Sequence, residues 1–145
     1  MAELLQGDTL RSIWTVNWIY FNSDICRCLL KYFKYDPNTR RESPRLPTYL
    51  HVAINTACRM QTGKDRVELL LADPRTDLNV QNITGQTVLI LAIEGRCNPE
   101  IIDLLLEDSR TNIYLKDMDG KTAMDLVRSD DFSTKQVFGK HGIKV

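Results

Sequence analysis

The residues of this chain that could do chemistry are four cysteines, two histidines and a scatter of carboxylates, and their spacing rules out most of it. Cys26 and Cys28 have one residue between them, where a zinc knuckle needs about two to four. Cys58 and Cys97 lie far apart, at similar places in two successive segments that resemble each other, so packing is their expected role. His51 has no carboxylate and cysteine nearby to complete a ligand set or an acid–base pair. His141 lies in the C-terminal tail and is expected to be exposed. Asp117, Asp119 and Asp125, followed by Asp130 and Asp131, invite comparison with a calcium loop. That loop needs ligands at its first, third and fifth positions and glycine at its sixth. Counted from Asp117, the fifth residue is Lys121 and the glycine is the fourth, so the match fails and turn formation explains Asp117 and Asp119 better. Gly63-Lys64 has no glycine-rich loop before it, and no Gly-x-Ser-x-Gly elbow occurs. Asp103 and Glu107 stand one helical turn apart, as on an exposed helix face. No catalytic residue, no metal and no cofactor is therefore expected.

Composition narrows the choice further. The chain has 145 residues, the size of one domain, and 43% are hydrophobic. Lys+Arg and Asp+Glu both number 19, so the net charge is zero, where a nucleic-acid binder would carry a basic face. The one basic patch, Arg40, Arg41 and Arg45, is interrupted by Glu42 and by proline and reads as a solvated loop. No apolar core of a signal peptide follows Met1, and no stretch approaches the roughly 20 residues of a membrane span. The expectation is a cytoplasmic protein with reduced thiols and neither nucleic acid nor membrane as partner.

The elements that must position these residues come from an internal repeat. Arg75-Thr76-Asp77-Leu78 returns 35 residues later as Arg110-Thr111-Asn112-Ile113. Leu69-Leu70-Leu71 returns as Leu104-Leu105-Leu106, and Gly85-Gln86-Thr87 as Gly120-Lys121-Thr122. A fixed period of this size marks a stack of similar units that acts through an extended surface. In the clearest unit, 82–116, a polar turn with Gly85 precedes Thr87, an N-cap for a short helix from Val88 to about Glu94. Gly95 ends that helix, and Asn98-Pro99-Glu100 opens a second one.

This order of turn, short helix, longer helix and loop resembles the ankyrin repeat. The matching stretch is GQTVLILAIEGR…EIIDLLLEDSRTNIYLKD, residues 85–117, in which Thr87, Leu89 and Ala92 fit the family pattern. Val88 stands where the family has Pro, and Ile90 where it has His. In the preceding unit Thr48, Leu50, His51 and Ala53 fit, and the resemblance gives His51 a structural role beside Thr48. Thr48 to Thr87 is 39 residues, and the surplus is expected to extend both helices and their joining turn. In the following unit Gly120, Thr122 and Leu126 fit, with a second helix in FSTKQVFGK. The resemblance implies an all-α ankyrin-repeat solenoid of about four helix pairs, a single domain over 1–145. Residues 1–44 form a degenerate N-terminal cap, 45–81 and 82–116 are repeats, and 117–145 form the C-terminal cap.

The resemblance also implies a partner-binding concave face made of turn tips and short first helices. The tip residues are Arg45, Asn82, Ile83, Thr84, Asp117, Met118 and Asp119. The first-helix residues are Tyr49, Val52, Ile90, Glu94 and Arg96. Ile83 and Met118 are apolar at the same place in consecutive turns; they either stack on each other or seed a contact. Trp14, Trp18, Tyr20 and Phe21 either pack the N-terminal cap or form a second, exposed surface. The function that follows is non-catalytic: the chain binds another protein and masks or inhibits it. Small standalone ankyrin proteins are similar to viral inhibitors and bacterial effectors, which would place the chain in a host's cytoplasm or nucleus. The alternative is a structural subunit of a homodimer or larger complex, joined through the aromatic N-terminal face.

Overall fold

In the computed structural model the described residues are Arg27, 36–38 and 47–145, and the elements below belong to the unit Asp36–Val145. Five α-helices and one 3-10 turn lie among them: α1 (Tyr49–Met60), α2 (Lys64–Ala72), α3 (Val88–Glu94), α4 (Pro99–Glu107), the turn Met124–Leu126 and α5 (Phe132–Lys140). The expected cap over 1–44 lies outside the described residues, apart from Arg27 and 36–38.

Four of the five helices begin where a side chain satisfies an orphan backbone N–H, whereas α2 starts after Gly63 without a side-chain cap. The Thr48 and Thr87 hydroxyls accept from the backbone N–H of His51 and Ile90, at 3.4 and 3.3 Å. Asn98 Oδ1 accepts from Glu100 N at 3.0 Å, with Pro99 in the first turn. Asp131 Oδ1 accepts from Thr134 N at 2.9 Å. The surplus of the longer repeat goes to one place only. α1 has 12 residues and α3 has 7, while α2 and α4 both have 9. The extension expected in the second helix and in the joining turn does not occur; three residues join α1 to α2 and four join α3 to α4. The connection from second helix to next first helix keeps its length, because it carries the bonds between repeats.

Those bonds form a ladder. Asn38 donates to Arg75 O at 2.6 Å and accepts from Asp77 N at 2.7 Å; Asn79 repeats the pattern with Arg110 O and Asn112 N, both at 2.8 Å. The Arg110 guanidinium donates to Leu71 O at 2.7 Å, Asp73 O at 3.1 Å and Thr76 O at 3.2 Å, while Asp108 neutralises it. One side chain thus ties down the end of α2 and the connection after it through three carbonyls, of which that of Asp73 also accepts from Thr76 N. The turn tips are linked directly by Met118 N, which donates to Thr84 O at 3.0 Å. This close approach needs glycine at 85, where a Cβ would lie 2.8 Å from Met118 N and φ is +76°.

Helix α1 packs on α3, α2 on α4, and α4 on α5. Of each leucine triplet only the middle residue, Leu70 or Leu105, is buried, as a 3.6-residue period requires. His51 is wholly buried, as a structural residue. Its Nε2–H donates to Gln86 O at 3.4 Å, so its Nδ1 takes the Thr48 hydroxyl proton at 2.8 Å. The corresponding residues after Thr87 and Thr122 are Ile90, which packs, and Asp125, which accepts from the Thr122 hydroxyl at 2.8 Å.

Two expectations are corrected. Cys58 and Cys97 are not merely packed thiols: they are joined in a disulfide that ties the last turn of α1 to the turn before α4. The repeat pattern placed the two residues at similar positions of successive repeats, and tertiary stacking brought them into bonding range. Disulfides persist under oxidising conditions, so the reduced-thiol reading does not hold for this pair. His141 is not freely exposed. It is largely covered, with Nε2 at 2.7 Å from Asp103 Oδ1, and Lys140 reaches Asp103 and Glu107. The Asp103 and Glu107 side of α4 is thus partly a contact surface for α5.

Candidate binding groove

A groove of about 860 Å³ runs between the turn tips and the inner helices. Its helix wall is Asn55 and Arg59 from α1 and Leu91, Glu94 and Gly95 from α3. Its other wall is Asn82, Thr84 and Gln86 from one tip and Asp117, Met118 and Asp119 from the next.

The tips are stiff for a local reason. Asn82 Oδ1 accepts from Thr84 N at 3.0 Å and Gln86 N at 2.9 Å. Asp117 Oδ1 does the same with Asp119 N at 2.9 Å and Lys121 N at 2.8 Å. Asn and Asp therefore do identical work at equivalent positions, and only Asp leaves a charge. Asn82 also donates to Gln86 Oε1 at 2.9 Å, and the Gln86 amide donates to the Glu94 carboxylate, which spans the groove floor. Partial burial pushes the Glu94 carboxyl up, and the negative charges of Asp117 and Asp119 push the same way. Among the described residues no group of three His, Cys, Asp or Glu side chains could hold a metal ion.

Of the residues singled out from sequence, Asn82, Thr84, Glu94, Asp117, Met118 and Asp119 meet in this groove. Ile83 and Met118 are 60% and 76% exposed on adjacent tips, so they do not bury each other. Arg96 is exposed but lines a separate hollow of about 280 Å³ with Arg128 and Asp130. Tyr49, Val52 and Ile90 are corrected: all three are at most 3% exposed and belong to the core. A short helix enclosed on most sides leaves a narrow stripe free, and on α3 that stripe is Leu91 and Glu94, one turn apart. Arg45, Trp14, Trp18 and Tyr20 lie outside the described residues.

Asn55, Arg59, Gln86, Leu91 and Gly95 were missed. Asn55 occupies the place in α1 that Glu94 occupies in α3, seven residues after the capping threonine, and that register was available from sequence. Arg59 lies one turn further along and reaches the groove because α1 is five residues longer than α3.

Helix pairs joined by short turns, threonine-capped first helices and linked turn tips define a helical repeat stack. No protein-family model matches the chain, and no curated protein matches it. Solved structures do. The chain is similar to EF0377, an ankyrin repeat protein, at 26% identity and a TM-score of 0.67, over 86% of this chain and 61% of that one. It is also similar to a chain from the Bd0816 predatory endopeptidase of Bdellovibrio bacteriovorus in complex with immunity protein Bd3460. There the identity is 32% and the TM-score 0.52, over 64% of this chain and 47% of the other. The chain thus spans less than two thirds of the length of either. Its fold is that of the ankyrin repeat. Among the described residues no helix is long and apolar enough to cross a membrane.

Proposed function

We propose that the chain is a non-catalytic interaction module that binds another protein across the groove and its tips and masks that partner's working surface. The observation that carries this reading is the pair of exposed apolar tips, Ile83 and Met118, beside a groove with polar walls. Large apolar side chains held in water on consecutive rigid turns are the pattern of a contact surface. The hydrogen-bonded tips are already ordered, so binding costs little conformational entropy. The likeness to a chain from an endopeptidase–immunity protein complex supports a role in engaging a protein partner.

The test is capture from candidate lysates with wild type beside Ile83→Glu/Met118→Glu. Both sites are exposed, so the melting temperature should stay within about 2 °C of wild type. A protein retained by wild type and lost from the folded variant supports the reading. Equal retention by both removes the tips from the interface.

A further inference from the structure

We propose that the groove receives an extended, basic segment of the partner protein, with a lysine or arginine side chain lying along Leu91 and Met118 and its cationic head between Glu94, Asp117 and Asp119. The inference rests on the groove being the partner-binding face.

Charge is the first argument. The ion pairs among the described residues use Glu68, Asp73, Glu100, Asp103, Glu107, Asp108 and Asp130. None uses Glu94, Asp117 or Asp119, although these three share one groove with a single lining cation, Arg59. The chain as a whole is neutral, so this excess is local. It persists at a cost, since the three charges oppose one another at Glu94.

Shape is the second. The carboxylates come from two elements and do not converge as a metal site, so the charge is spread along the wall. A spread of negative charge beside exposed apolar surface fits a side chain with an aliphatic stem and a cationic head. The exposed Met118 thioether and the Leu91 side chain offer that stem a flexible wall. Arg59, contributed to the lining by α1, disfavours a second basic residue beside it and favours an acidic or neutral one.

The internal repeat supplies the test variant. Asn82 holds its turn with the same two bonds that Asp117 uses, so Asp117→Asn removes charge and keeps the tip. Glu94→Gln keeps an acceptor for Gln86, and the Asp119→Asn side chain is isosteric. The full chain and the triple variant are titrated against a labelled ten-residue peptide alternating arginine with leucine, followed by fluorescence anisotropy. A second peptide carries glutamate in place of arginine. The expected result is saturable binding of the arginine peptide by wild type, at least about tenfold weaker in the triple variant. It should also weaken with added salt and be absent for the glutamate peptide. Equal binding by wild type and variant, binding of the glutamate peptide, or no saturable binding at millimolar peptide overturns the proposal. The lysate capture separates it from the broader reading. A partner lost from Ile83→Glu/Met118→Glu but kept by the triple variant leaves masking in place and removes the basic segment. A partner kept by both removes the groove itself.

Discussion

The helix pair α3–α4 and the terminal pair, the Met124–Leu126 turn with α5, are built on the same repeat but held by different forces. In the first pair the core is apolar: Val88, Leu89, Ile90, Ala92, Ile93, Ile101, Ile102 and Leu105 are all at most 5% exposed. In the terminal pair the first helix shrinks to three residues, and α5 buries only Thr134 and Phe138. What apolar area no longer supplies is partly replaced by contacts at the surface. Lys140 lies 2.7 Å from Asp103 and 3.3 Å from Glu107, and His141 lies 2.7 Å from Asp103. Hydrophobic burial scales with area and resists salt, whereas exposed ion pairs are weak and screened. The two regions should therefore fail differently.

Leu105→Asp should make the largest difference. It places a carboxylate at a wholly buried position of α4, and should cost more than about 4 kcal/mol. Circular dichroism should show loss of helix throughout; a normal melt would mean that this pair is not the centre of the core. Phe138→Ala should come next, at about 3 kcal/mol. Because Phe138 is the main apolar anchor of α5, amide exchange should rise in 132–140 while 88–107 stays protected. Uniform exchange would show that both regions unfold as one unit.

Asp103→Asn should have the smallest effect, lowering the melting temperature by about 2 °C at low salt and less at high salt. The Lys140 hydrogen bond, followed by that of His141, holds the Asp103 carboxyl below the usual carboxylate range. A depressed folded value means that the stabilisation is complete above the unfolded value and fades as pH falls through the folded one. Acid below the usual carboxylate range should thus loosen α5 in wild type, and Asp103→Asn should flatten that dependence. An unchanged acid profile would assign the docking of α5 to Phe138 alone.

Much of the architecture was readable because helix ends are local. Thr48, Thr87, Asn98 and Asp131 cap helices through groups two or three residues away, and those spacings are visible in a string of letters. The polar tips were readable for the same reason, since Asn82 and Asp117 bond within four residues of themselves. The helix wall of the groove was not. Periodicity says that α3 has an apolar side, but its seven residues are nearly all apolar, and nothing within them marks Leu91 rather than Ile90 as the one facing the groove.

The sequence by itself determined the repeat, its all-helical class, where the capped helices start, and that apolar residues stand at the same place in consecutive turns. Each of these follows from contacts within a turn or two, or from a period that any core-forming stack must keep. Only tertiary stacking decided that Tyr49, Val52 and Ile90 go inward, that Cys58 meets Cys97, and that His141 folds back onto Asp103. It also decided that Glu94 joins two aspartates from the neighbouring tip. Those outcomes depend on residues some 23 to 39 positions away, whose distance in space is set by how one repeat packs on the next.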